Sequence, residues 1–485
     1  METRQQNTAV LIAQNNTLPS QVRHIHLMGI CGTGMASLAG MLKDQGFLVT
    51  GSDQNVYPPM STYLDALSIP IFQGYQASNL HESPDLVIVG NVITRSNPEA
   101  IELARRRLPY LSMPQAIHAF ALKGKKSIVI AGTHGKTTTT ALVSWVLECA
   151  GLDPGYLIGG IPVNFGNGFR QGKGIYFVIE GDEYDTAFFD KGPKFLHYSP
   201  WIVILTSIEF DHADIYRDLE HVRKSFRNLL RMLPSEGRLI ANMDDPLVVA
   251  ESEIASCPVI SYGLGNKAFW SARNISVGYQ ETSLEAFTKR GEAMEITTPL
   301  YGRHNISNLL SALALADFLN VKATLILKAF ESFRGVKRRQ EVKGEKNGIL
   351  VLDDFAHHPT AVRETIKAVR EKYQGRRIIA AFEPRSNSSR RNTFQRDYVS
   401  CFDQADLVMI PEPPFMEKIP LEERFSSRQL VEDLQKRGTA AYYFPETSLL
   451  LERILRVNRR GDVVLIMSNG AFDNLAEKLL KGLRG

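Results

Sequence analysis

AGTHGKTTTT, residues 131–140, follows an apolar run at 127–130 and leads into a helix-length segment. Strand, glycine turn and helix in that order make a phosphate-binding loop. Gly132 and Gly135 let backbone N–H groups close around phosphate oxygens, with Thr133 and His134 between them. Lys136 supplies a cation, and Thr137, with Thr138 beside it, offers the hydroxyl that ligates Mg²⁺ in such loops. The usual pattern keeps four residues between its glycines. Counting back from Gly135 reaches Ile130, so the loop is a shortened variant. The expected ligand is a nucleoside triphosphate with Mg²⁺.

Outward from this loop, apolar strands alternate with helix-length segments, the pattern of parallel α/β sheets. At roughly 150 residues per domain, 485 residues suggest about three domains. Residues 1–22 read as a flexible polar tail. Block 23–122 holds HIHLMGI, LVTGSD (48–53) and DLVIVGN (85–91). Block 123–336 holds the phosphate loop, GIYFVIEGDEYD (174–185) and WIVILTS (201–207). Block 337–485 holds GILVLDDF, RRIIAAFEP, ADLVMIPEP and DVVLIMSNG. A net charge of +4, with Arg105 to Arg107 a basic run of only three, gives no footprint for nucleic acid. The four cysteines include no CxxC pair, which argues against zinc sites and disulfide frameworks and suits a reducing cytoplasm. No run reaches transmembrane length, so no membrane partner is expected, and no obligate protein partner is inferred.

The turn MGICGTGMAS (28–37) is like a dinucleotide fingerprint: Gly32, Thr33, Gly34 and Met35 would admit a pyrophosphate to a helix N-terminus. Asp53 follows at the distance where an acidic group reaches a ribose, and Asn91 ends a neighbouring strand. Ser37 replaces the third glycine. Cys31 in the same loop reads either as a thiol made acidic by the helix dipole or simply as a small residue. In the second block Glu180 ends a strand before Asp182, Glu183 and Asp185, while IEFDHAD (208–214) brings Asp211, His212 and Asp214. Carboxylates beside a phosphate loop suit Mg²⁺. The expected metal ligands are Thr137, Glu180 and His212, and the expected catalytic set is Lys136, Glu180 and His212.

GTHGKTTTT, EGDEYD, IEFDHAD, GRHNISN (302–308) and DDFAHHPTA (353–361) together resemble the Mur ligase family from about residue 23 to the end. The resemblance implies an α/β protein with a Rossmann-like N-terminal domain, a central P-loop ATPase domain and a Rossmann-like C-terminal domain. It also implies an ATP- and Mg²⁺-dependent amide ligase acting on UDP-N-acetylmuramate. GICGTGM, SDQNVYPPMS (52–61), DEYDTAFFDKGPKF (182–195), EPRSN (383–387) and MSNG (467–470) point to the branch that attaches the murein tripeptide L-alanyl-γ-D-glutamyl-meso-diaminopimelate during recycling. The alternative is the branch that attaches L-alanine, which typically carries a His-Arg pattern where this chain has Glu383 to Asn387.

By the same resemblance His304, Asn305 and Asn308 contact adenine, and Asp353, Asp354 and His357 belong to a motif that can be brought over the nucleotide, with His358 structural. Arg385 is the candidate for gripping a peptide carboxylate, since a guanidinium fork matches that group; Arg390 and Arg391 read as surface charges. Several family members hold a second metal with a carbamylated lysine. Here that position is Phe226, with Lys224 out of register, as in the two branches named above. Gly181 replaces the alanine more usual at the strand end. Two other classes compete: a nicotinamide oxidoreductase, which leaves the second and third blocks unexplained, and a regulator that has lost turnover, which the intact set Lys136, Thr137, Glu180 and His212 opposes.

Overall fold

The computed structural model describes residues 10–13, 16–56, 60–265 and 267–483. The short apolar strands sort into three main sheets, each continuous in sequence. In the first, His24–Met28 lies between Leu48–Asp53 and Leu86–Val89, with Ile71–Gln73 and Tyr110–Ser112 at the edges; every pairing is parallel. The chain winds outward both ways from His24–Met28, so the crevice beyond that strand is a topological switch point. The Gly-rich turn lies there, and helix Thr33–Asp44 starts from it.

The second sheet has ten strands. Lys126–Ala131 is sandwiched between Pro200–Leu205 and Tyr176–Gly181, all parallel, so the loops after these three strands open on one edge. An antiparallel meander, Trp270–Val277, Thr282–Thr288 and Ala293–Thr298, finishes one side of this sheet. Its middle strand, Thr282–Thr288, alternates inward and outward, as half-solvated strands do, and lacks the unbroken apolar run of the central ones. The third sheet places the last strand, Val463–Met467, between Ile349–Asp354 and Ile378–Phe382, and is parallel except for its edge strand Glu341–Lys346.

The domains are packed together. One apolar cluster joins the first two, with Phe169 of the second so close to helix Thr33–Asp44 that a Cβ on Gly40 would stand 2.7 Å from its ring. Arg338 and Gln340, at the entrance to the third domain, both have left-handed backbones (φ 61° and 51°), an uncommon state for such side chains, and Arg339 lies between them.

The polar tail needs correction. Residues 1–9, 14 and 15 lie outside the described residues, but Leu11 is buried against the first sheet and the backbone of Ile12 exchanges two hydrogen bonds with the Tyr110 hydroxyl. The apolar stretch at 9–13 supplies the reason: it has surface to bury. Part of the SDQNVYPPMS stretch, residues 57–59, also lies outside the described residues.

Candidate active site

A cavity of about 1240 Å³ opens where the three domains meet. The phosphate loop forms its floor. Gly132 (φ 131°) packs so tightly that a Cβ would stand 2.2 Å from the Thr206 hydroxyl, and a Cβ on Gly135 (φ 83°) would stand 2.7 Å from the Asn308 amide oxygen. Only glycine satisfies both conformation and space there. Thr206 donates to the His134 carbonyl (2.6 Å), and Thr133 and Glu209 bond each other through the Thr133 hydroxyl. The loop is thus fixed to the end of strand Pro200–Leu205.

Lys136 begins helix Lys136–Cys149, and its ammonium donates to the Gly132 carbonyl (2.7 Å) and to Glu183 Oε2 (2.8 Å). Glu183 Oε1 lies 3.1 Å from His212 Nε2. Burial pushes the Glu183 carboxyl up, but Lys136 and His212 prevail and hold it at about 2. Burial works against the charged forms of His212 and Lys136 too; Glu183 overcomes it and raises both. Lysine, carboxylate and imidazole therefore form a charged triad beneath the loop. His212 sits in a left-handed backbone (φ 55°), its ring 4.1 Å from that of Tyr184, so packing on several sides holds a conformation the chain would not adopt alone.

Glu180 accepts from Thr137 Oγ1 (3.0 Å) and from the Gly159 amide (2.6 Å). Burial, then Asp182, raises its carboxyl, and among the described residues no lysine or arginine forms an ion pair with it. Two cis oxygens bound at 2.0–2.1 Å to an octahedral Mg²⁺ stand about 2.9 Å apart. Thr137 and Glu180 match that spacing. His212 does not join them in this arrangement, because its Nε2 faces Glu183.

The adenine candidates line one wall. Asn305 donates to the Tyr301 carbonyl and to Gln340, Asn308 donates to Asn305, and His304 Nδ1 is buried without a hydrogen-bond partner. A buried ring nitrogen facing such a wall leaves one polar contact open for a purine edge. Gly32, Thr33, Gly34, Met35 and Asn91 also line the cavity.

Four expected residues lie elsewhere. Gly132 is behind the loop. Asp53 turns its carboxylate back onto the amides of Cys31 (2.9 Å) and Asn55 (3.0 Å), fixing the turn instead of facing the cavity. Asp353 and Asp354 are successive strand residues and so face opposite ways. Asp354 lines the cavity and accepts from the Gln340 and Ala356 amides (both 2.7 Å), whereas Asp353 faces Arg338 (3.3 Å), its carboxyl pushed by burial up to about 6. Arg385 lies outside the lining, 3.5 Å from Glu383 and over the Phe415 ring; Gly470 leaves the space its guanidinium fills.

Further differences have physical causes. Burial, then Asp53, pushes the Cys31 thiol up to about 11, so the turn does not hold a thiolate. Arg390 is buried, donating to Phe415 O and Asn387, and Arg391 pairs with Glu423, so neither is a free surface charge. His357 lines the cavity, but so does His358, whose Nε2 meets the Phe210 carbonyl (3.2 Å) across the domain boundary. Phe226 is packed in the core against Phe195, and Lys224 is exposed. Arg339, absent from the expected set, donates to Thr137 Oγ1 (3.2 Å). Its signal was the basic run VKRR at the domain boundary.

Known proteins share this arrangement. Residues 24–125 match the Mur ligase family catalytic domain, 130–316 the Mur ligase middle domain, and 338–470 the Mur ligase glutamate ligase domain. The chain is 40% identical to the UDP-N-acetylmuramate–L-alanyl-γ-D-glutamyl-meso-2,6-diaminoheptandioate ligase of Escherichia coli (strain K12), over 95% of this chain and 98% of that one. It is 33% identical to the UDP-N-acetylmuramate–L-alanine ligase of Pelotomaculum thermopropionicum, over 95% and 98%. The solved structure of a murein peptide ligase from Psychrobacter arcticus superposes with a TM-score of 0.73 at 34% identity, covering 95% of this chain and 98% of that one.

Proposed function

The chain belongs to the Mur ligase family, and from that premise we propose that it joins UDP-N-acetylmuramate to L-alanyl-γ-D-glutamyl-meso-diaminopimelate in murein recycling. It is an ATP-dependent carbon–nitrogen ligase. The observation that carries the substrate assignment is the 40% identity, over nearly the full length, to a ligase named for that tripeptide; one cavity lined by residues of all three domains, Gly32–Met35, the phosphate loop and His357 among them, supports the ligase chemistry.

A carboxylate acylates poorly because its oxygen is a bad leaving group, and phosphorylation removes that obstacle. The lactyl carboxylate of the UDP-sugar attacks the γ-phosphate of ATP in line, ADP leaves, and an acyl phosphate forms. Lys136 and the loop amides stabilise the charge spread over the transferring group. Thr137 and Glu180 would hold Mg²⁺, which neutralises phosphate oxygens. For His212 the proposal carries a condition: it ligates an ion only when its bond to Glu183 is exchanged. The tripeptide α-amine then attacks the acyl carbon and phosphate departs. Arg385 is proposed to receive a peptide carboxylate, and docking of the third domain keeps water from the acyl phosphate. A cytoplasmic location belongs to the same proposal; among the described residues no helix is long and apolar enough to cross a membrane.

The test is phosphate release from ATP with UDP-N-acetylmuramate and Mg²⁺, adding either the tripeptide or L-alanine. Release that depends on the tripeptide is expected. Release with L-alanine alone would move the chain to the other branch, and no release with either would overturn the proposal.

A further inference from the structure

In the wall of the cavity, and apart from Thr137 and Glu180, two histidines and a glutamate converge from two domains. His134 Nε2 lies 3.3 Å from Glu209 Oε2, and His358 Nδ1 lies 3.6 Å from the same oxygen. All three ligand atoms fall within 4.8 Å of one another, and the imidazole rings are 4.8 Å apart. A tetrahedral Zn²⁺ with bonds of 2.0–2.1 Å keeps its ligand atoms about 3.3 Å apart. Two spacings are already near that value, and the third is no more than 4.8 Å.

The surroundings also suit ligation. With Nε2–H donated to the Phe210 carbonyl, the lone pair of His358 lies on Nδ1, the atom that faces Glu209. A carbonyl that fixes the tautomer is the usual outer partner of a metal-bound histidine. Thr360 donates to Glu209 Oε2 (2.8 Å) and orients the carboxylate. The ion would displace two hydrogen bonds: the Thr360 amide to His358 Nδ1, at a long 3.3 Å, and that between His134 Nε2 and Glu209 Oε2, also 3.3 Å. His134 and Glu209 are partly exposed, which leaves a route for an ion and room for water as fourth ligand.

We propose that His134, Glu209 and His358 form a site for a divalent transition-metal ion of the Zn²⁺ class, which staples the third domain to the phosphate loop. Two imidazoles and a single carboxylate favour such an ion over the harder Mg²⁺.

The test uses the full chain without nucleotide, in excess Mg²⁺ to fill oxygen-rich sites, titrated with Co²⁺ as the spectroscopic probe. One equivalent should bind with the intense visible absorption of tetrahedral Co²⁺. H358Q should weaken this binding by at least about tenfold, and E209Q, on a different domain, serves if H358Q does not fold. Amide exchange at residues 355–360 should slow when Co²⁺ is added. No tetrahedral spectrum, affinity unchanged in the variants, or exchange unaltered by the ion would each overturn the proposal.

Discussion

Two glutamates buried in different domains show opposite answers to one problem. Glu183, in the central domain, touches an ammonium and an imidazole and is held at about 2. Glu99, in the first domain, is fully buried and accepts hydrogen bonds from Ser52 (2.5 Å) and Asn79, yet burial outweighs them and raises its carboxyl. Its nearest imidazole, His26, stands 4.0 Å away with Nε2 unpartnered, and burial, then His24, lowers that ring to about 3. Hydrogen bonds alone do not keep a charge in the interior; a cation in contact does. The central cluster is built to carry charge, and the first domain's cluster to avoid it.

The comparison is broken most severely at Lys136. K136A should lower ligation by about a hundredfold or more while leaving UDP-sugar affinity in the first domain intact, read by steady-state phosphate release and by UDP-sugar titration. Equal loss of UDP-sugar binding would erase the separation between the two regions. E183Q tests the other half of the pair: it leaves Lys136 buried without its counter-charge and should cost about 3–5 kcal/mol in denaturant unfolding. A cost below 1 kcal/mol would mean that the triad carries no more charge than the Glu99 cluster.

R385A, remote from both clusters, should raise the tripeptide KM about tenfold or more, the size of a lost hydrogen bond to a charged group, with the ATP KM unchanged. A tripeptide KM that does not move removes Arg385 from the peptide site. The smallest effect concerns pH. His26 has a folded pKa near 3, below its ordinary value of 6.5, so the unfolded chain takes up the proton first. Stability from this group is complete above 6.5 and lost as pH falls toward 3. From pH 7 to 5.5 the loss should be about 1 kcal/mol, seen as faster amide exchange in strand His24–Met28. Glu183, with its pKa held low, begins to lose its contribution only below about 4.5, so strand Tyr176–Gly181 should not follow; parallel changes in both strands would remove the distinction.

Much of this was legible before any coordinates. The parallel core strands announce themselves because a strand covered on both faces must be apolar throughout, as Leu86–Val89 and Val463–Met467 are. The phosphate loop is local, so its glycines, Lys136 and Thr137 can be read from spacing. Long-range partners cannot. Nothing in the sequence tells that Glu183 rather than Glu180 reaches Lys136, since one ends the strand and the other lies just beyond it, and the choice depends on a loop 47 residues from the lysine. The strand alternation that turns Asp353 away and Asp354 inward was readable in principle, but which face is inward depends on the docking of the third domain. For Arg339 the basic run was visible but its target was hidden for the same reason, lying 202 residues away.

That arginine gives the linker a second duty. It sits between two left-handed residues on the segment that must move if the third domain swings, and its guanidinium donates to Thr137. Swinging the domain away withdraws Arg339 from the threonine proposed to hold the ion. An undocked enzyme would therefore be an incomplete ATPase. The joint would then act as an interlock: with the third domain swung away, the threonine at the ion would lack its arginine.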